Sequence, residues 1–128
     1  MSLLSALARV ALGTPFIVLG YQAAKEPGGR TKAAAAFGIP EEYADQAVRL
    51  NGGAMVAGGL AMALGIAPRL GALTVAGALL PTTLAGHPFW KGDEQAKAAN
   101  QLQALKNLGL LGGLLAVAAT PRAGSDQD

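Results

Sequence analysis

The side chains able to do chemistry in this sequence are few and far apart. There is one histidine, His87, and no cysteine. A chain without cysteine has no disulfide, thiolate nucleophile, iron–sulfur cluster or Cys-ligated zinc, and a single histidine excludes bis-histidine haem ligation within one chain. Among the other polar side chains inside or at the ends of apolar stretches are Arg9, Gln22, Asn51, Thr83, Lys106 and Asn107. No acid accompanies a serine or histidine within those stretches, so no catalytic triad is available. Nothing resembles a glycine-rich nucleotide loop following a strand. No catalytic residue, cofactor-binding residue or metal ligand is therefore assigned, and the chain is not expected to be an autonomous enzyme. What remains is hydrogen-bond and ion-pair chemistry, whose value depends on where the chain places these groups.

With 128 residues, 52% of them hydrophobic and 14% charged, and a mean hydropathy of +0.36, the chain is one domain by length and too apolar for a soluble fold. Only 5% of residues are aromatic, which suits helices packed through small residues better than strands. The formal charge is +2, but Lys and Arg are scattered singly, with no basic stripe and no interleaved aromatics, and nucleic acid is not an expected partner.

Four apolar runs approach the roughly 20 residues that a bilayer core requires. The predicted fold is all-α, an integral membrane four-helix bundle with antiparallel, up-down spans at about residues 3–24, 48–66, 70–87 and 101–120. Polar loops are expected at 25–47 and 88–100, with a frayed tail at 121–128, in a single membrane domain of residues 1–128. Val10 to Gly20 also has the length of a signal-peptide core, but the poorly basic start reads as a retained helix. Pro27-Gly28-Gly29 breaks the first helix, and Pro40 followed by Glu41 and Glu42 starts another; between them a short interfacial helix is expected. Ala67-Pro68-Arg69 joins spans two and three tightly, which makes them antiparallel neighbours. Small residues four apart (Ala54 and Gly58, Gly59 and Ala63, Gly109 and Gly113) predict close helix contacts, the last span packing through Gly109 and Gly113.

Antiparallel spans bring Gln22, Asn51, Thr83, His87, Lys106 and Asn107 to one side of the membrane, the side of the two polar loops. Two readings stand. Lys106 snorkels and the asparagines bond between helices, or the six line one polar pocket that holds a quinone or a lipid. Arg9 lies about 9 Å inside the opposite edge at 1.5 Å per residue, and its expected partner is the interface, a backbone carbonyl, a lipid phosphate or a neighbouring subunit. Trp90, after Pro88 and Phe89, is expected to anchor the chain at the interface. Lys25, Arg30, Lys32, Lys91 and Lys97 on the loop side outnumber Arg69, Arg122 and Arg9 on the other, which predicts a cytoplasmic loop face.

The arrangement resembles the DoxX family of small bacterial membrane proteins, and its actinobacterial branch in particular. The resemblance is carried by Arg9-Val10-Ala11-Leu12-Gly13 with Gly20, by Leu50-Asn51-Gly52-Gly53 with Leu64-Gly65, by Leu80 to Trp90, and by Leu105 to Gly113, and it spans residues 5 to about 120. It implies a plasma-membrane protein associated with oxidoreductase systems; some relatives are subunits of a thiosulfate:quinone oxidoreductase and others accompany an oxidative-stress defence complex. Many family members carry an acid where the second span begins, whereas this chain has Arg49-Leu50-Asn51 there, so no proton-relay role is carried over. The leading expectation is a non-enzymatic membrane subunit or scaffold of such a system, with membrane lipid, redox-enzyme subunits and further copies of the chain as candidate partners. The alternative is a small quinone- or lipid-binding transport module.

Overall fold

The computed structural model describes residues 2–121 and is all-helical: α1 (Leu3–Lys25), α2 (Arg30–Phe37), α3 (Glu41–Leu64), α4 (Pro68–Gly86) and α5 (Glu94–Ala119). No strand occurs among the described residues. Residues 122–128 of the expected tail, Arg122 included, lie outside them.

Local chemistry sets the helix ends. Ser2 Oγ accepts from the Ser5 N–H at 3.1 Å and Asp93 Oδ1 from the Ala96 N–H at 2.8 Å, so α1 and α5 each begin on a side-chain cap. α3 stops where Gly65 turns left-handed, at a φ of 72°, while its N–H and that of Ile66 return to the Met62 and Ala61 carbonyls. Pro68 then opens α4, where its missing N–H costs nothing. The expected short helix between the first two spans is α2, and α3 starts at Glu41, two turns ahead of the span predicted from about residue 48. α5 likewise begins at Glu94 rather than near 101, because Asp93 caps it and the polar residues that follow are good helix formers. The polar segments 25–47 and 88–100 are thus largely helical, holding α2 and the first turns of α3 and α5.

Three helices, α1, α3 and α5, are long and apolar enough to cross a membrane. α4, predicted as a span at 70–87, falls outside that set: it has 19 residues, with Arg69 in its first turn and Pro81-Thr82-Thr83 near its end. It is nonetheless well enclosed, burying Gly71, Ala72, Val75, Ala76, Ala78 and Leu79.

Glycine sets the closest helix contacts. Gly13 faces Gly59 and Gly20 faces Gly52, so α1 and α3 run antiparallel with glycines seven residues apart on each helix. A Cβ built on Gly52 would stand 2.5 Å from the Gly20 carbonyl oxygen, and one on Gly20 would stand 2.6 Å from that of Gly52. Gly58 and Gly71 make the same reciprocal contact between α3 and α4, at 2.8 and 2.5 Å. No side chain fits there, and the close backbone approach supplies the dispersion attraction that holds helices together in lipid. The expectation for α5 needs correction. Nothing lies within 4 Å of a Cβ on Gly109, while one on Gly113 meets only the end of the Leu12 side chain, at 3.6 Å. α5 buries one residue, Leu114.

Candidate functional site

Two asparagines bond across helices, and each does so through a threonine of α4. Asn51 on α3 donates its Nδ2–H to Thr82 Oγ1 at 2.7 Å, and Thr82 Oγ1 donates to the Ala78 carbonyl at 2.9 Å. Asn107 on α5 donates to Thr83 Oγ1 at 2.9 Å, and Thr83 Oγ1 donates to the Leu79 carbonyl at 2.7 Å. Each threonine proton is committed to the backbone one turn back, so each hydroxyl must accept from the asparagine. This fixes which way both amides face.

Thr82 and Thr83 are consecutive, hence about 100° apart around the helix axis, and the two chains of bonds lie on different flanks of α4. Each flank has a groove of about 500 Å³. One, between α4 and α5, is lined by Thr83, Asn107, Gln101, Phe89 and several leucines. The other, under α2 and between α3 and α4, is lined by Asn51, Thr82, His87 and Arg30 together with apolar residues.

The six residues expected to share one pocket are therefore divided. Asn51 and His87 belong to the groove under α2, and Thr83 and Asn107 to the groove beside α5. Gln22 and Lys106 are exposed and line neither. Sequence gives depth along a helix directly, but the angle around it only once the partner is known. His87 is half-buried, and its Nδ1 lies 3.4 Å from Oδ1 of Asn100 on α5, a partner the sequence did not suggest. The ring nitrogens of His87 can donate or accept according to tautomer, so the contact fixes the position of the ring and not the place of its proton. Trp90 is exposed in the turn after α4 and meets Phe89 edge-to-face, with ring centroids 5.0 Å apart.

The arginines work at helix ends. Arg9, only 8% exposed, donates from Nε to the Met62 carbonyl at 3.1 Å and from Nη1 to Ser5 Oγ at 3.0 Å. Of the partners considered for it, the structure shows the carbonyl. Arg49 donates to the Ala24 and Lys25 carbonyls at 2.8 and 3.1 Å and pairs with Asp45 at 2.8 Å. Arg69 donates to the Ala118 carbonyl at 2.9 Å. Each guanidinium thus sits on the carbonyl-rich C-terminus of an antiparallel neighbour, α3, α1 and α5 in turn, where the helix dipole favours a cation. Among the described residues no group of three or more His, Cys, Asp or Glu side chains stands close enough to hold a metal ion.

The family model described as DoxX matches residues 4–88. That stretch contains α1 to α4 and stops short of α5, so the Leu105 to Gly113 motif lies outside it. No curated protein and no solved structure gives a significant match.

Proposed function

The chain belongs to the DoxX family, and from that membership we propose that it is a non-enzymatic membrane subunit or scaffold that docks partners of an oxidoreductase or oxidative-stress defence system. In this reading α1, α3, α4 and α5 all cross the plasma membrane as an antiparallel up-down bundle, with α2 and the turn around Trp90 on the cytoplasmic side. The observation that carries it is that polar side chains of the long helices are spent on bonds between helices. Asn51, Asn107, Arg9 and Arg69 each bond to another helix, which stiffens a frame and leaves the work of recognition to its loop-side surface. That surface presents Phe37, Tyr43 and Trp90, all exposed, beside the charged residues of α2 and the start of α3. Aromatic and cationic side chains are the groups most often used as anchors in protein interfaces.

Affinity purification in mild detergent, followed by mass spectrometry of the co-purifying proteins, tests the proposal. Stoichiometric redox enzymes support it. A chain that purifies without any protein partner, from cells grown with and without oxidative challenge, refutes it.

A further inference from the structure

The groove under α2 has hydrogen-bonding capacity that the protein leaves unused. One Asn51 amide N–H goes to Thr82, and the Oδ1 of the same amide meets no protein donor among the described residues, although Asn51 is half-buried in the groove wall. The His87 ring is a second hydrogen-bonding group on the same groove, able to donate or accept according to its tautomer. An acceptor with no donor is costly near hydrocarbon, so whatever occupies this groove at lowest free energy brings O–H or N–H groups to it. Arg30, in the first turn of α2, is the one charged residue of the lining, and no carboxylate opposes it. Ala33, Phe37, Ile39 and Val48 make the remaining wall apolar.

We propose that this groove binds one anionic glycerophospholipid whose head group carries free hydroxyls, as phosphatidylglycerol does. The guanidinium of Arg30 matches the phosphate in charge and in hydrogen-bond geometry. Head-group hydroxyls, which both donate and accept, supply a donor to Asn51 Oδ1 and a partner to the His87 ring, and an acyl chain lies along the apolar wall. The volume is within the usual range of ligand sites, enough for the head group and the start of a chain that continues into the bilayer. This assignment stands on the groove alone and is independent of any redox partner.

Native mass spectrometry of the full chain tests it, with the protein taken from micelles supplied with equal amounts of phosphatidylglycerol, phosphatidylcholine and diacylglycerol. The expected result is one retained phosphatidylglycerol per chain. Its preference over phosphatidylcholine should fall about tenfold in Asn51→Leu and in His87→Phe, the worth of one lost hydrogen bond, and in Arg30→Gln the advantage over diacylglycerol should vanish. Ala33→Trp, which fills the groove, should abolish retention, whereas the exposed Lys106→Gln should keep it. Asn107→Leu breaks the equivalent bond on the other flank of α4 and should also keep it. Should Asn51→Leu fail to fold, Arg30→Gln and His87→Phe decide. Equal retention of phosphatidylcholine by the wild-type protein, no retained lipid, or equal loss in Asn107→Leu and Asn51→Leu each overturns the proposal.

Discussion

Asn51 and Asn107 never meet, although the hydroxyls they bond to belong to consecutive residues. Because Thr82 and Thr83 point to different neighbours, α4 is tied to α3 on one flank and to α5 on the other by the same Asn–Thr–carbonyl device. Asn51→Leu and Thr82→Val should therefore show a coupling energy of roughly 0.6–1.7 kcal/mol, the range seen for such bonds in lipid. Asn51→Leu and Asn107→Leu, sharing no partner, should add to within about 0.5 kcal/mol. Unfolding of the three single variants and the two doubles in detergent checks both values, and strong coupling between the asparagines would mean that the flanks are not independent.

Glycine substitutions should separate the two kinds of glycine. Gly52→Ala places a methyl 2.5 Å from one backbone oxygen and 2.9 Å from a backbone nitrogen, so α1 and α3 must part, at a cost of about 1–3 kcal/mol or more. Gly109→Ala meets nothing and gains helix propensity of up to about 1 kcal/mol. Thermal denaturation in detergent should show a lowered midpoint for the first and an unchanged or raised one for the second.

Arg9 is enclosed, whereas Arg49 is exposed and pairs with the exposed Asp45. Replacing Arg9 with Met should cost roughly 1.5–3 kcal/mol, as expected for buried hydrogen bonds from a charged donor. Arg49→Met should cost less, since its two carbonyl bonds are exposed to solvent and a solvated ion pair contributes about 0–1 kcal/mol. Denaturation midpoints measured at low and high salt should show salt dependence in the Arg49 difference and little in the Arg9 difference.

The loop charges predict a membrane orientation that can be checked directly. Reporter fusions at the N-terminus and in the turn around Trp90 should place the turn in the cytoplasm and the N-terminus outside it. The reverse pattern would show that Lys25, Arg30, Lys32, Lys91 and Lys97 do not set the topology.

How far the sequence alone could go is clearest from particular residues. Pro27-Gly28-Gly29, Pro40-Glu41-Glu42 and Ala67-Pro68-Arg69 marked helix boundaries that the structure has, because caps and breakers act over a few residues. The glycine contacts were harder. Spacing by four picked out Gly58 and Gly59 correctly but also Gly109, which touches nothing. The pairs that do set α1 against α3 repeat every seven residues and are visible only when two helices are compared. The polar residues failed similarly: shared depth for Asn51 and Asn107 was legible, but their separation by the body of α4 was not.

The glycine contacts also bear on how the chain assembles as it is made. Gly13 and Gly20 find Gly59 and Gly52 on the next long helix, and Gly58 then finds Gly71 on the one after. Each pairing joins elements that leave the ribosome one after the other, so a helix entering the bilayer meets its docking surface already in place. α5 arrives last, to a surface with no glycine seam waiting, and is secured by Asn107 and by the Arg69 contact to its end. A chain halted after α4 would therefore already contain every glycine-to-glycine contact found among the described residues.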